Sequence, residues 1–97
     1  MAQQVFKITN ATQVKMISIG DEVNIIKSMT ISNIHSGDAT VDLFLANPTD
    51  NYYIFKNLVI PTGQTLKMDS NEVSFNNRIY SFYIKLAGTT PVDVIIN

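Results

Sequence analysis

The chain has 97 residues, 15% of them charged, none of them cysteine, and a formal net charge of -1. That length suits one domain, and with no run of like charge beyond Asp21-Glu22 the surface is not one that neutralises phosphates, so nucleic acid is not expected as a partner. The absence of cysteine excludes disulfides, thiolate metal sites and a cysteine nucleophile.

Charged residues fall well below the roughly 25% of an ordinary soluble domain, and Asn, Thr and Ser supply the polarity instead. Such a surface suits protein contact, because less charge must be desolvated. The segment Met1-Ala2-Gln3-Gln4 lacks a basic, apolar leader and no window approaches the ~20 apolar residues of a membrane span, so synthesis in a cytoplasm without membrane insertion is expected.

In chain order, residues 1–10 read as an N-terminal arm or an edge strand, with Val5, Phe6 and Ile8 supplying the apolar positions. Residues 11–97 read as the domain itself. Val14 to Ile19 and Asn24 to Ile34 are rich in β-branched residues and favour strands, with a two-turn helix from Asp21 as the minor alternative. Ser36-Gly37-Asp38 is a turn signal. From Ala39 to Leu45 the period is two, with Val41, Leu43 and Leu45 on one face and Thr40, Asp42 and Phe44 on the other. After the loop Ala46 to Asn51, Tyr52 to Ile60 is apolar on both faces, with Tyr53, Phe55 and Val59 opposite Tyr52, Ile54, Leu58 and Ile60. Pro61-Thr62-Gly63-Gln64 then predicts a tight turn and a hairpin into Thr65 to Met68. A turn at Asp69-Ser70-Asn71, a short strand at Val73 and Phe75, a turn at Asn76-Asn77, and strands over Tyr80 to Leu86 and Val92 to Ile96 complete the chain. The expected fold is all-β: one sandwich or jelly-roll domain of about eight short antiparallel strands.

Catalytic constellations are missing from the pattern. His35 is the single imidazole, and a triad with its neighbours Ser36 and Asp38 is geometrically improbable, because adjacent strand residues point to opposite faces. Asp69-Ser70-Asn71-Glu72 lacks the spacing and glycine of a calcium loop, and the four glycines form no phosphate cradle. No enzyme activity, metal or cofactor is expected. The aromatics Tyr52, Tyr53, Phe55, Tyr80, Phe82 and Tyr83 lie on expected strands with only Lys56, Arg78 and Lys85 nearby, which favours packing and subunit contact over a base-stacking platform. A carbohydrate- or receptor-binding module using Tyr52, Tyr53 and Tyr83 stays open as an alternative.

From Ala39 onward the polar-alternating strand, the YYIFKN segment, the IPTGQTL hairpin, a short strand ending in FNN and the closing TPVDVII strand resemble small virion structural proteins of tailed bacteriophages, including those of cyanobacteria. The resemblance implies a β-sandwich subunit of the virion, made in the host cytoplasm, either a capsid decoration (cement) protein or a neck or tail accessory. It implies a homo-oligomer, a trimer by analogy with decoration proteins, bound to the major capsid protein or other virion proteins. No catalytic residue carries over. The expected protein interface comprises Tyr52, Tyr53, Phe55, Val5, Phe6 and Ile8.

Overall fold

The computed structural model describes residues 4–9, 12–19, 27–69 and 78–97. Within them lie eight strands: β1 (Gln4–Ile8), β2 (Val14–Ile17), β3 (Ser28–Ser32), β4 (Ala39–Ala46), β5 (Asn51–Ile60), β6 (Thr65–Asp69), β7 (Ser81–Leu86) and β8 (Val92–Ile96). The helix alternative at Asp21, the short strand at Val73 and Phe75, and the Asn76-Asn77 turn lie outside the described residues.

The strands form two four-stranded sheets, ordered β1-β8-β3-β6 and β2-β7-β4-β5, with every pairing antiparallel. Pairing is nested: first with last, second with seventh, third with sixth, fourth with fifth, alternating between the two sheets. This is a jelly roll, as the spacing of the short strands predicts. The inward faces meet in one apolar core that includes Ile8, Ile17, Met29, Ile31, Leu43 and Phe82, all essentially inaccessible. Each such side chain stabilises the fold by about 1.5–3 kcal/mol relative to exposure.

The turn after β5 differs from the expected hairpin. Gln64 N–H donates to the Pro61 carbonyl at 3.1 Å and Gly63 has φ of 76°, so Pro61 to Gln64 form a tight turn whose third residue needs the left-handed region. The chain leaving it joins β3 in the other sheet, and the turn is a corner of the sandwich. Asn33, 1% exposed, ties this corner: its Nδ2 donates to the carbonyls of Gly37 at 2.7 Å and Ile60 at 2.9 Å, and its Oδ1 accepts from His35 N–H at 3.0 Å. Its backbone N–H and carbonyl also bond Gln64 and Gly63. A buried amide with these bonds repays its desolvation and fixes the bend.

Two irregularities in β5 rearrange its faces. Eight residues of β4 face ten of β5, and the register slips between Val41 and Leu43 and again between Leu43 and Phe44. Each extra residue is a bulge that exchanges the two faces. The second exchange cancels the first, so only the segment between them is inverted. Tyr53 and Val59 therefore point outward as alternation predicts, whereas Phe55 aligns with Leu43 and packs against the core, and Lys56 takes the outward position. The expectation that Phe55 shares a face with Tyr53 is corrected accordingly.

Candidate functional site

The outer face of the second sheet carries a row of side chains that crosses all four strands and is aromatic on three of them. Register places Lys15 of β2 beside Tyr83 of β7, Tyr83 beside Phe44 of β4, and Phe44 beside Tyr53 of β5. Adjacent strands lie about 4.8 Å apart, so side chains on neighbouring strands at one level must touch. The rings of Phe44 and Tyr83 are parallel at 5.2 Å between centroids, and those of Phe44 and Tyr53 are tilted by 39° at 5.1 Å. Each such pair adds about 0.5–1.5 kcal/mol beyond area burial. Phe44 is 1% exposed yet stands apart from the interior core cluster, because it is on the outer face and flanked by the two tyrosines.

A cation closes each end of the row. Lys15 Nζ lies 5.7 Å from the Tyr83 centroid and Lys56 Nζ 4.8 Å from that of Tyr53. Lys56 is held there by the first bulge. Lys56 and Asn57 together oppose Asp42, whose Oδ2 accepts from Lys56 Nζ at 3.1 Å and whose Oδ1 accepts from Asn57 N–H at 2.7 Å. Asn57 pays for the bulge with a left-handed φ of 56°, which asparagine tolerates. Asp42 is 2% exposed, and its hydrogen bond, followed by its charge, raises the Lys56 pKa above 10.5.

Beyond Tyr83 the same face dips into a recess of about 210 Å³ lined by Lys15, Ile19, Ala46, Pro48, Ser81 and Tyr83. Ser81 Oγ accepts from Ile19 N–H at 3.1 Å, and Asn47 Oδ1 accepts from Thr49 and Asp50, which shapes the loop carrying Pro48. The outer face of the first sheet is different in character. Lys7 pairs with Asp93 at 3.1 Å and Ser32 bonds Thr65 at 3.0 Å, so polar groups there satisfy one another.

The residues expected at an interface do not form one patch. Tyr53 lies on the row; Tyr52 aligns with Leu45 at the sheet edge, its ring edge-on to Tyr80 at 5.9 Å, and is 48% exposed. Val5 is exposed, but on the opposite sheet. Phe6 and Phe55 are half-buried against the core, and Ile8 is a core residue at 1% exposure, so these three are not available as surface contacts. Lys15 and Phe44 were not singled out by the sequence; only cross-strand register brings them into the row. His35, Ser36 and Asp38 are exposed and share no hydrogen bond, and Asp38 Oδ1 instead accepts from Thr62 N–H at 3.3 Å. Among the described residues no group of three or more His, Cys, Asp or Glu side chains converges as a metal site would require.

No family model matches the chain, and no curated protein matches it in sequence. Among solved structures it is similar to the Anabaena sensory rhodopsin transducer, with 14% identity, a TM-score of 0.54, and coverage of 100% of this chain and 98% of that one. At that identity the likeness shows the shared β-sandwich. The resemblance to phage virion proteins is not upheld: the chain aligns from end to end with a transducer. The expected role as a capsid decoration or neck protein, the capsid and trimer partners, and the virion location are corrected with it. The error arose because alternating strands and a Pro-Thr-Gly turn specify a jelly roll, and many functions use that fold.

Proposed function

We propose that the chain is a non-catalytic transducer-type module, a jelly-roll domain that relays a signal by binding another protein with the outer face of its second sheet. The observation that carries this reading is the row Lys15, Tyr83, Phe44 and Tyr53, closed by Lys56, which presents half-exposed aromatic surface on rigid, paired strands. Aromatic anchors held in place before binding lose little entropy on docking, and tyrosine is enriched where interfaces draw their energy. The likeness in fold to a sensory rhodopsin transducer makes a membrane receptor the first kind of partner to test.

Photo-crosslinking in the native cell tests it, with a benzophenone amino acid at position 53 and, as a control, at position 67 on the other sheet. The expected result is an adduct with an integral-membrane receptor from position 53 and none from position 67. Adducts from position 67 alone, or none from position 53 in folded protein, would reject the reading.

A further inference from the structure

We infer that the outer face of the second sheet takes an acidic segment of its partner, with one apolar side chain of that segment seated in the recess beside Tyr83. The inference rests on the protein-docking reading and adds the chemistry of what docks. The charge on this face carries it first. Its described outward positions include three lysines, Lys15, Lys56 and Lys85, and one carboxylate, Asp42. Asp42 is buried and already engaged by Lys56, so among the described outward strand positions of this sheet an approaching acid meets no exposed carboxylate. Among the described residues Lys15 and Lys85 have no ion-pair partner, although both are exposed. The chain as a whole has a net charge of -1, so the excess of cations on this face is local. On the first sheet, by contrast, the outward strand charges are Lys7 and Lys67 against Asp69 and Asp93.

The recess carries the rest. At about 210 Å³ it lies below the roughly 300–1,000 Å³ of small-ligand pockets and suits one side chain of a protein. Its walls include Ile19, Ala46, Pro48 and the Tyr83 ring beside the polar Asn47 and Ser81, with Lys15 as the charged member. An apolar anchor there buries these surfaces, while acidic neighbours on the same segment reach Lys15 at the recess wall and Lys85, two positions beyond Tyr83 along β7. Complementary charges of this kind set partner choice and encounter rate, and a basic segment is repelled by the same two ammonium groups.

The test is a titration of the 15N-labelled full chain with two capped peptides, Glu-Glu-Phe-Glu-Glu and Lys-Lys-Phe-Lys-Lys. The acidic peptide is expected to move the amide signals of Ile19, Ala46 and Tyr83, with an effect that fades between about 50 and about 300 mM salt as screening tightens. The basic peptide is expected to leave them in place. The double variant Lys15→Glu with Lys85→Glu, whose spectrum reports its own folding, should bind the acidic peptide roughly tenfold more weakly. Equal response to both peptides, shifts confined to the first sheet, or no shift at all would overturn the inference. Receptor adducts from position 53 together with charge-blind peptide binding would reject the acidic segment and leave the docking face standing. Loss of both signals would remove the face itself.

Discussion

Asp42 and Lys56 are joined across a bulge, with Oδ2 accepting from Nζ at 3.1 Å while Oδ1 of the same carboxylate accepts from the Asn57 N–H at 2.7 Å. The pair is asymmetric. The Asp42 side chain is 3% exposed and that of Lys56 58%, so the carboxylate bears the burial and the ammonium is the replaceable partner. Asp42→Ala is expected to lower unfolding free energy by about 2 kcal/mol, the worth of a charge-assisted bond to a strained backbone. Lys56→Met should cost less. Urea denaturation of the two variants checks the order, and a larger loss from Lys56→Met would contradict it.

The same pair sets a pH dependence. Bonding to Asp42 raises the Lys56 pKa above its ordinary 10.5. A group whose folded pKa is raised contributes stability that is fully present below the unfolded pKa and is lost as pH rises through the folded one. The stability gap between wild type and Lys56→Met should therefore be constant from neutral pH to about 9 and close above 10.5. Thermal melts across that range measure it. A gap that closes near neutrality would assign the effect to another group.

Asn33→Ala removes a donor to two carbonyls and an acceptor for the His35 N–H inside a buried corner. The expected loss is about 3 kcal/mol, which in a domain of this size lowers Tm by about 12 °C or more. Calorimetry gives the number directly. A shift of only a few degrees would mean that the corner is held by its backbone bonds alone.

Phe82→Ala and Tyr53→Ala separate the core from the candidate site. Phe82 is inaccessible and its truncation should cost about 3–5 kcal/mol. Tyr53, at 47% exposure with one ring partner, should cost about 1 kcal/mol, while Tyr53→Asp should impair partner binding more than folding. Chemical denaturation beside a binding assay distinguishes the two. Equal destabilisation by the two alanine variants would place Tyr53 in the core.

Much of the fold was legible because β4, β7 and β8 alternate strictly, so Val41, Leu43, Phe82, Ile84, Val92 and Val94 could be assigned inward by parity alone. Parity failed at Phe55, where two bulges invert the strand between them and no residue-level signal marks either one. The corner at Pro61 to Gln64 was legible as a turn but not as a change of sheet, because turn chemistry fixes local geometry and leaves the next strand's neighbour open. Parity places Asp42 opposite Val41 and Leu43 but does not show its burial, which depends on the bulge that brings Asn57 to it. The row of Lys15, Tyr83, Phe44 and Tyr53 was invisible for the same reason. Its members come from four strands, and only their mutual register makes them neighbours.

The nested order of the strands also governs how the chain can reach its native state. Ala46 and Asn51 are five positions apart where β4 meets β5, whereas Gln4 and Ile96, paired in β1 and β8, are ninety-two apart. Closing the longer loop first costs roughly 2.5 kcal/mol more chain entropy than closing the shorter. Assembly is therefore expected to begin at the β4–β5 hairpin and to zip outward, on the ms–s timescale of proteins dominated by non-local pairing. Rate measurements on Leu58→Ala and Val94→Ala report this directly: the first should slow folding and the second should mainly speed unfolding. The aromatic row is built on the hairpin and its β7 neighbour, so the surface offered to a partner would take shape before the N-terminal strand has found its place.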